Sequence, residues 1–179
     1  YAAAKDFVPV GQVARYQWTF AVPVNSPAKT LPDFVEMVRK DPQKGNYGVP
    51  LVGGLPDIIG GAITRKAGVK MEAIPFGGSA QMMPQLIGGQ LASGVTGEPE
   101  GVTMHRGGKV RILAISGAKR SSLLPDTPTF EELGFNGVNI SSFNAFFAPK
   151  ALPVPLAQKF NAALRKVLAD QEVQAKIKD

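Results

Sequence analysis

Residues 74–99 read Ile-Pro-Phe-Gly-Gly-Ser-Ala-Gln-Met-Met-Pro-Gln-Leu-Ile-Gly-Gly-Gln-Leu-Ala-Ser-Gly-Val-Thr-Gly-Glu-Pro, and their pattern decides the fold. They predict a strand, a glycine loop, a helix, a glycine stop and a second strand. Gly77 and Gly78 open backbone conformations closed to other residues, and Ser79 is expected to cap the helix. Free N–H groups then point out of the loop, and the positive end of the helix dipole adds to them. Such a mouth suits a carboxylate or phosphate without any charged side chain. Pro84 disturbs this reading, because its ring removes an N–H and crowds the Ala80 carbonyl, so the helix is expected to begin later or to kink.

The pattern recurs upstream. Asn46-Tyr-Gly-Val49 reads as a short strand, and Pro50-Leu-Val-Gly-Gly-Leu-Pro56 as a second glycine loop opening a helix with Ile58, Ile59, Ala62 and Ile63 on its apolar face and Gly68 at its stop. Two strand–loop–helix units in succession predict an α/β fold with a mixed, mainly parallel sheet and helices on both faces. Thr30-Leu-Pro-Asp33 has capping-box form, with Leu31, Phe34, Val35 and Val38 on one face of the helix that follows. Before it, residues 7–13 and 17–24 read as two strands with a polar break at Arg15.

Downstream, residues 99–106 predict a short helix, and Val110-Arg-Ile-Leu-Ala-Ile115 a strand apolar enough for a buried parallel position. A long polar loop covers 116–128, and Thr129-Phe-Glu-Glu132 predicts a brief capped helix closed by Gly134. Residues 140–147 form an aromatic-rich strand. Leu156, Phe160, Ala163, Leu164, Val167 and Leu168 mark a last amphipathic helix, with Asp170 capping another.

Composition removes most alternatives. The 179 residues carry no cysteine and one histidine, His105, which excludes disulfides and thiolate chemistry and leaves little for a histidine-based metal site or triad. No metal or cofactor is expected. The net charge of +6 comes from scattered Lys and Arg rather than a basic run with interleaved aromatics, so nucleic acid is not an expected partner. No apolar run approaches the roughly 20 residues that cross a bilayer. The start at Tyr1 has no initiator methionine, basic n-region or apolar h-region, and a processed or trimmed start is expected. Met82 and Met83 read as packing, as do Tyr16 and Trp18, while Glu98 and Glu100 read as exposed helix-start charges and His105 as a surface residue.

Taken together, several segments resemble the periplasmic solute receptors of tripartite tricarboxylate transporters, the Bug-type binding proteins. They are Lys5-Asp-Phe-Val-Pro-Val10, Asn46-Tyr-Gly48, Pro75-Phe-Gly-Gly-Ser-Ala80, Leu86-Ile-Gly-Gly-Gln90, Gly108-Lys-Val-Arg111, Ala118-Lys-Arg-Ser121, Leu124-Pro-Asp-Thr-Pro128, Phe147-Ala-Pro149 and the run from Leu164 through Asp170. The resemblance implies a type II periplasmic-binding-protein lobe. Residues 1–22 would be a fragment of the first lobe with its crossover, 23–140 a complete second lobe, and 141–179 the return crossover with incomplete first-lobe helices. An apolar face exposed on such a fragment would favour a dimer.

The resemblance also implies a non-enzymatic periplasmic receptor that captures a di-, tri- or aromatic carboxylic acid through backbone amides and passes it to membrane transporter subunits. Carried over by position, the contacts would be Val52, Gly53, Gly54, Leu55, Phe76, Gly77, Gly78, Ser79, Ala80, Thr96 and Gly97. Two departures, apolar residues at 49–52 and Thr96 where an acidic residue is common, point to a less polar acid without an amino group. The competing reading is the effector-binding domain of a LysR-type regulator, which an upstream helix-turn-helix would favour. An enzyme lacks a catalytic constellation.

Overall fold

The computed structural model describes residues 2–178. Its elements in chain order are α1 (Ala3–Asp6), β1 (Phe7–Pro23), α2 (Leu31–Lys40), a 3-10 turn (Pro42–Lys44), β2 (Asn46–Val49), α3 (Leu55–Ala67), β3 (Glu72–Pro75), α4 (Ser79–Ile87), β4 (Ser93–Gly97), α5 (Glu98–Arg106), β5 (Val110–Ile115), β6 (Ser141–Pro149), α6 (Val154–Leu168) and α7 (Gln171–Lys178). The chain forms two compact units, one of described residues up to Tyr16 and from Ser142 onward, the other Gln17–Ser141.

The larger unit holds a sheet in the order β3-β2-β4-β1-β5. Strands β3, β2 and β4 run parallel, while β1 lies antiparallel between β4 and β5. Alternation along β1 sorts the core onto both faces. Phe20 and Val22 join α2 and α3 residues Phe34, Val38, Ile59 and Ile63 on one face. Ala21 joins Met82, Leu86 and Val102, from α4 and α5, on the other. Phe20 is the hub of the first face, edge-on to Phe34 at 5.1 Å and to Phe130 at 6.5 Å between ring centroids.

Helix α2 starts as the residues dictate. Thr30 and Asp33 complete a capping box, and Leu31, Phe34, Val35 and Val38 are buried. Three expectations need correction. First, β1 is one 17-residue strand, because the exposed Arg15 leaves its ladder intact. Second, Thr129 and Glu132 exchange both capping-box bonds at 3.1 and 2.7 Å, yet the segment they open is a series of turns ended by left-handed Gly134. Third, Ile58 faces solvent while Ile59 and Ile63 carry the apolar face of α3.

In the smaller unit β6 pairs with β1, and α6 packs where Gly11 leaves room for Leu164. Asn161 donates to the Val10 carbonyl, and α6 has no fully buried residue. Phe143, Phe146, Phe147, Phe160 and Val167 are all more than half exposed.

Gly60, on the buried face of α3, is where the helix meets Tyr47. A Cβ there would fall 2.1 Å from a Tyr47 ring carbon. Helix propensity favours alanine over glycine by about 1 kcal/mol, but overpacking typically costs about 1–3 kcal/mol. Gly60→Ala is therefore expected to lower the urea-unfolding midpoint, by about 1 kcal/mol net; an unchanged or higher midpoint would show that Tyr47 gives way.

Candidate functional site

The site follows from topology. Helix α3, which follows β2, packs on one face of the sheet, and α5, which follows β4, packs on the other. Since β2 and β4 are neighbours, paired at Tyr47 with Ser93 and Gly48 with Gly94, the connections leaving their carboxyl ends turn to opposite faces, which makes this edge a topological switch point. Ligands of open α/β sheets bind at such switch points.

The candidate residues converge on this edge. Val49 pairs with Pro75, and Phe76 donates to the Val49 carbonyl at 3.0 Å, so the loops leaving β2 and β3 run side by side. Ser79 reaches β4, its Oγ lying 3.4 Å from Oγ1 of Thr96. Thr96 is fully buried, donates to Glu100 Oε2 at 2.8 Å, and gives its carbonyl to the Thr19 hydroxyl. Gly97 is the N-cap of α5 and pairs with Trp18. Thus 52–55, 76–80 and 96–97 lie at the ends of three adjacent strands.

Their donors differ in availability. Gly78, not Ser79, is the N-cap of α4; its φ of 144° suits only glycine, and no side chain caps the helix. Ser79 is instead the first helical residue, and its N–H and that of Ala80 have no intrahelical acceptor. The Gly77 N–H is taken by Gln81 Oε1 at 3.1 Å. Helix α4 runs through Pro84 without a later start, so its first donors stay at Ser79 and Ala80.

At α3, Gly54 is an N-cap without a side-chain bond, and Gly53, at φ 71°, donates to Asp57 Oδ2 at 3.0 Å. Asp57 Oδ1 accepts from the Tyr47 hydroxyl at 2.9 Å. Leu55 is half-buried, while Leu51 and Val52 are 64% and 56% exposed. Burial, followed by the bond and charge of Asp57, pushes the Tyr47 phenol well above its ordinary range.

Sequence reasoning passed over Asp57, whose one signal is an acid in the first turn of a helix that begins at two glycines. It also misjudged Glu98. That residue is 7% exposed, its Oε2 accepts from the Gln17 N–H at 3.1 Å, and its Oε1 is buried without a partner. His105 is half-buried, with Nδ1 3.2 Å from the Val110 carbonyl. Met82 and Met83 are core residues, as expected. Among the described residues no three His, Asp or Glu side chains gather to hold a metal ion, and no helix is long and apolar enough to cross a membrane.

Comparison with known proteins settles the family. A model described as tripartite tricarboxylate transporter family receptor matches residues 1–178. The chain belongs to that family. Its members are transport receptors, not enzymes. A Cupriavidus necator relative, the UPF0065 protein in gbd 5'region, is 32% identical over 92% of this chain and half of its own length. BugT of Bordetella pertussis is 24% identical over 97% of this chain and 53% of its own. The chain thus spans about half the length of these relatives.

Among solved structures, R. palustris Rpa4515 with adipate has TM-score 0.90 and 27% identity, covering 99% of this chain and 60% of that one. MatC from Rhodopseudomonas palustris with bound malate has TM-score 0.88 and 26% identity, covering 100% and 61%. The periplasmic binding protein BugD has TM-score 0.88 and 27% identity, covering 98% and 59%. The fold is accordingly the type II-like periplasmic-binding architecture, with β1 as its antiparallel strand.

A phenol with a raised pKa stabilises the fold fully below its unfolded value of 10.0 and loses that contribution only as pH rises through the folded value. Tyr47→Phe should therefore cost the same stability at pH 6 and pH 9, about 1 kcal/mol for a lost hydrogen bond. Urea unfolding at the two pH values checks this, and a cost confined to one of them would contradict it.

Proposed function

We propose that this chain is part of a periplasmic receptor that captures a small carboxylic acid and delivers it to a tripartite tricarboxylate-type transporter. The observation that carries the reading is the start of α4 at the switch point, where no side chain caps the helix and the Ser79 and Ala80 N–H groups have no intrahelical acceptor. Backbone donors held by the fold bind an anion with little ordering cost, and the helix dipole favours negative charge there. Gly78 shapes the turn, Ser79 supplies a hydroxyl beside the buried Thr96, and Phe76 and Gly97 flank the loop. Adipate and malate in two structural relatives support a carboxylate as the ligand.

Gln17–Ser141 would form one whole lobe and the smaller unit part of the other. The chain covers about 60% of the solved relatives, and the exposed phenylalanines of the smaller unit are the face we expect the remainder of that lobe to cover.

A thermal-shift screen of the intact protein against dicarboxylates, tricarboxylates, aromatic acids and acidic amino acids tests the reading. A ligand that binds only the native state, at one hundred times its Kd, stabilises it by about 2.7 kcal/mol. One acid class should raise the midpoint, and Gly78→Val, which cannot hold φ near 144°, should abolish the rise. Silence from every acid, with a responsive control receptor, would overturn it.

A further inference from the structure

We propose that Asp57 is a specificity-determining residue that limits the site to one ligand carboxylate, received at α4, and turns an apolar end of the ligand toward Leu51 and Val52. The inference rests on the reading above and narrows its substrate class to monocarboxylic acids with a hydrocarbon body.

Two helix starts open on the same sheet edge, one from each face, and a dicarboxylate could place one end on each. They are not equivalent. The start of α4 has no acid in its first turn, and its third residue, Gln81, meets the Gly77 N–H with a neutral amide oxygen. The start of α3 already holds a carboxylate, since Asp57 binds the Gly53 N–H through one oxygen and the Tyr47 hydroxyl through the other. Tyr47 is 4% exposed and packed against Gly60, so it fixes Asp57 from beneath. Leu51 adds a hydrocarbon cover: a Cβ placed on Gly54, the N-cap of α3, would lie 3.2 Å from Leu51 Cδ2.

A second ligand carboxylate arriving there would meet a like charge and an apolar surface, each unfavourable to it. The remaining wall gives no relief. The Thr96 hydroxyl is committed to the Glu100 carboxylate, and Glu98 brings another acid at the start of α5. By contrast, the exposed Leu51 and Val52 gain from covering a methylene chain or ring.

Calorimetric titration of the intact protein with hexanoate and adipate, acids of equal chain length, tests the proposal. Hexanoate should bind at least tenfold tighter. Asp57→Asn, whose amide oxygen can still accept from Gly53, should cut that preference below threefold by strengthening adipate. Val52→Ser, at an exposed position that does not threaten folding, should weaken hexanoate at least fivefold and leave adipate within twofold. Adipate binding as tightly as hexanoate, or a preference unmoved by either variant, overturns the proposal while leaving the receptor reading intact. If neither acid nor any other carboxylate in the screen binds, both fall together.

Discussion

The rest of the structure depends on one constraint: β2 and β4 are hydrogen-bonded neighbours whose following helices pack on opposite faces of the sheet. That divergence makes the switch point, and α4, crossing from β3 to β4, delivers its start to the same edge, where Ser79 meets Thr96. Backbone N–H groups in such a place need no side-chain cation to attract an acid. The burial of Met82 and Leu86 anchors α4, so the same core packing that holds the helix also fixes the donors on which the proposed recognition rests.

The two helix starts also show how one backbone motif is put to different uses. Both begin at paired glycines, and neither N-cap residue supplies a side-chain bond. At α3 the chain answers the Gly53 N–H with the carboxylate of Asp57, anchored by Tyr47; at α4 the equivalent Gly77 N–H is answered by the neutral amide of Gln81. The difference is a carboxylate against a neutral amide, and in the proposed reading it leaves one anion mouth and one apolar wall.

Much of this was legible in the residues. Periodicity placed α2, α3, α4 and β5, the capping box at Thr30 and Asp33 appeared as read, and the glycine loops fell at the strand ends that make the switch point. The misses share a cause, which is that local pattern does not know its tertiary neighbours. Arg15 looked like a break, but a charge on the solvent side of a strand does not interrupt its ladder. Ser79 looked like a cap, but Gly78 takes that position through a conformation a side chain would resist. Glu98 looked exposed, and only its bond to Gln17, 81 positions away, accounts for its burial. The Thr129 capping box formed without a helix because residues 129–134 offer too few turns to sustain one.

Amide chemical-shift mapping by NMR tests the central claim most directly. With the isotope-labelled intact protein and the acid that stabilises it most, the account predicts that the largest downfield amide proton shifts fall on Ser79 and Ala80, while Gly53, already bonded to Asp57, moves little. Largest shifts at Gly53 and Gly54, or at residues away from the carboxyl ends of β2, β3 and β4, would contradict it.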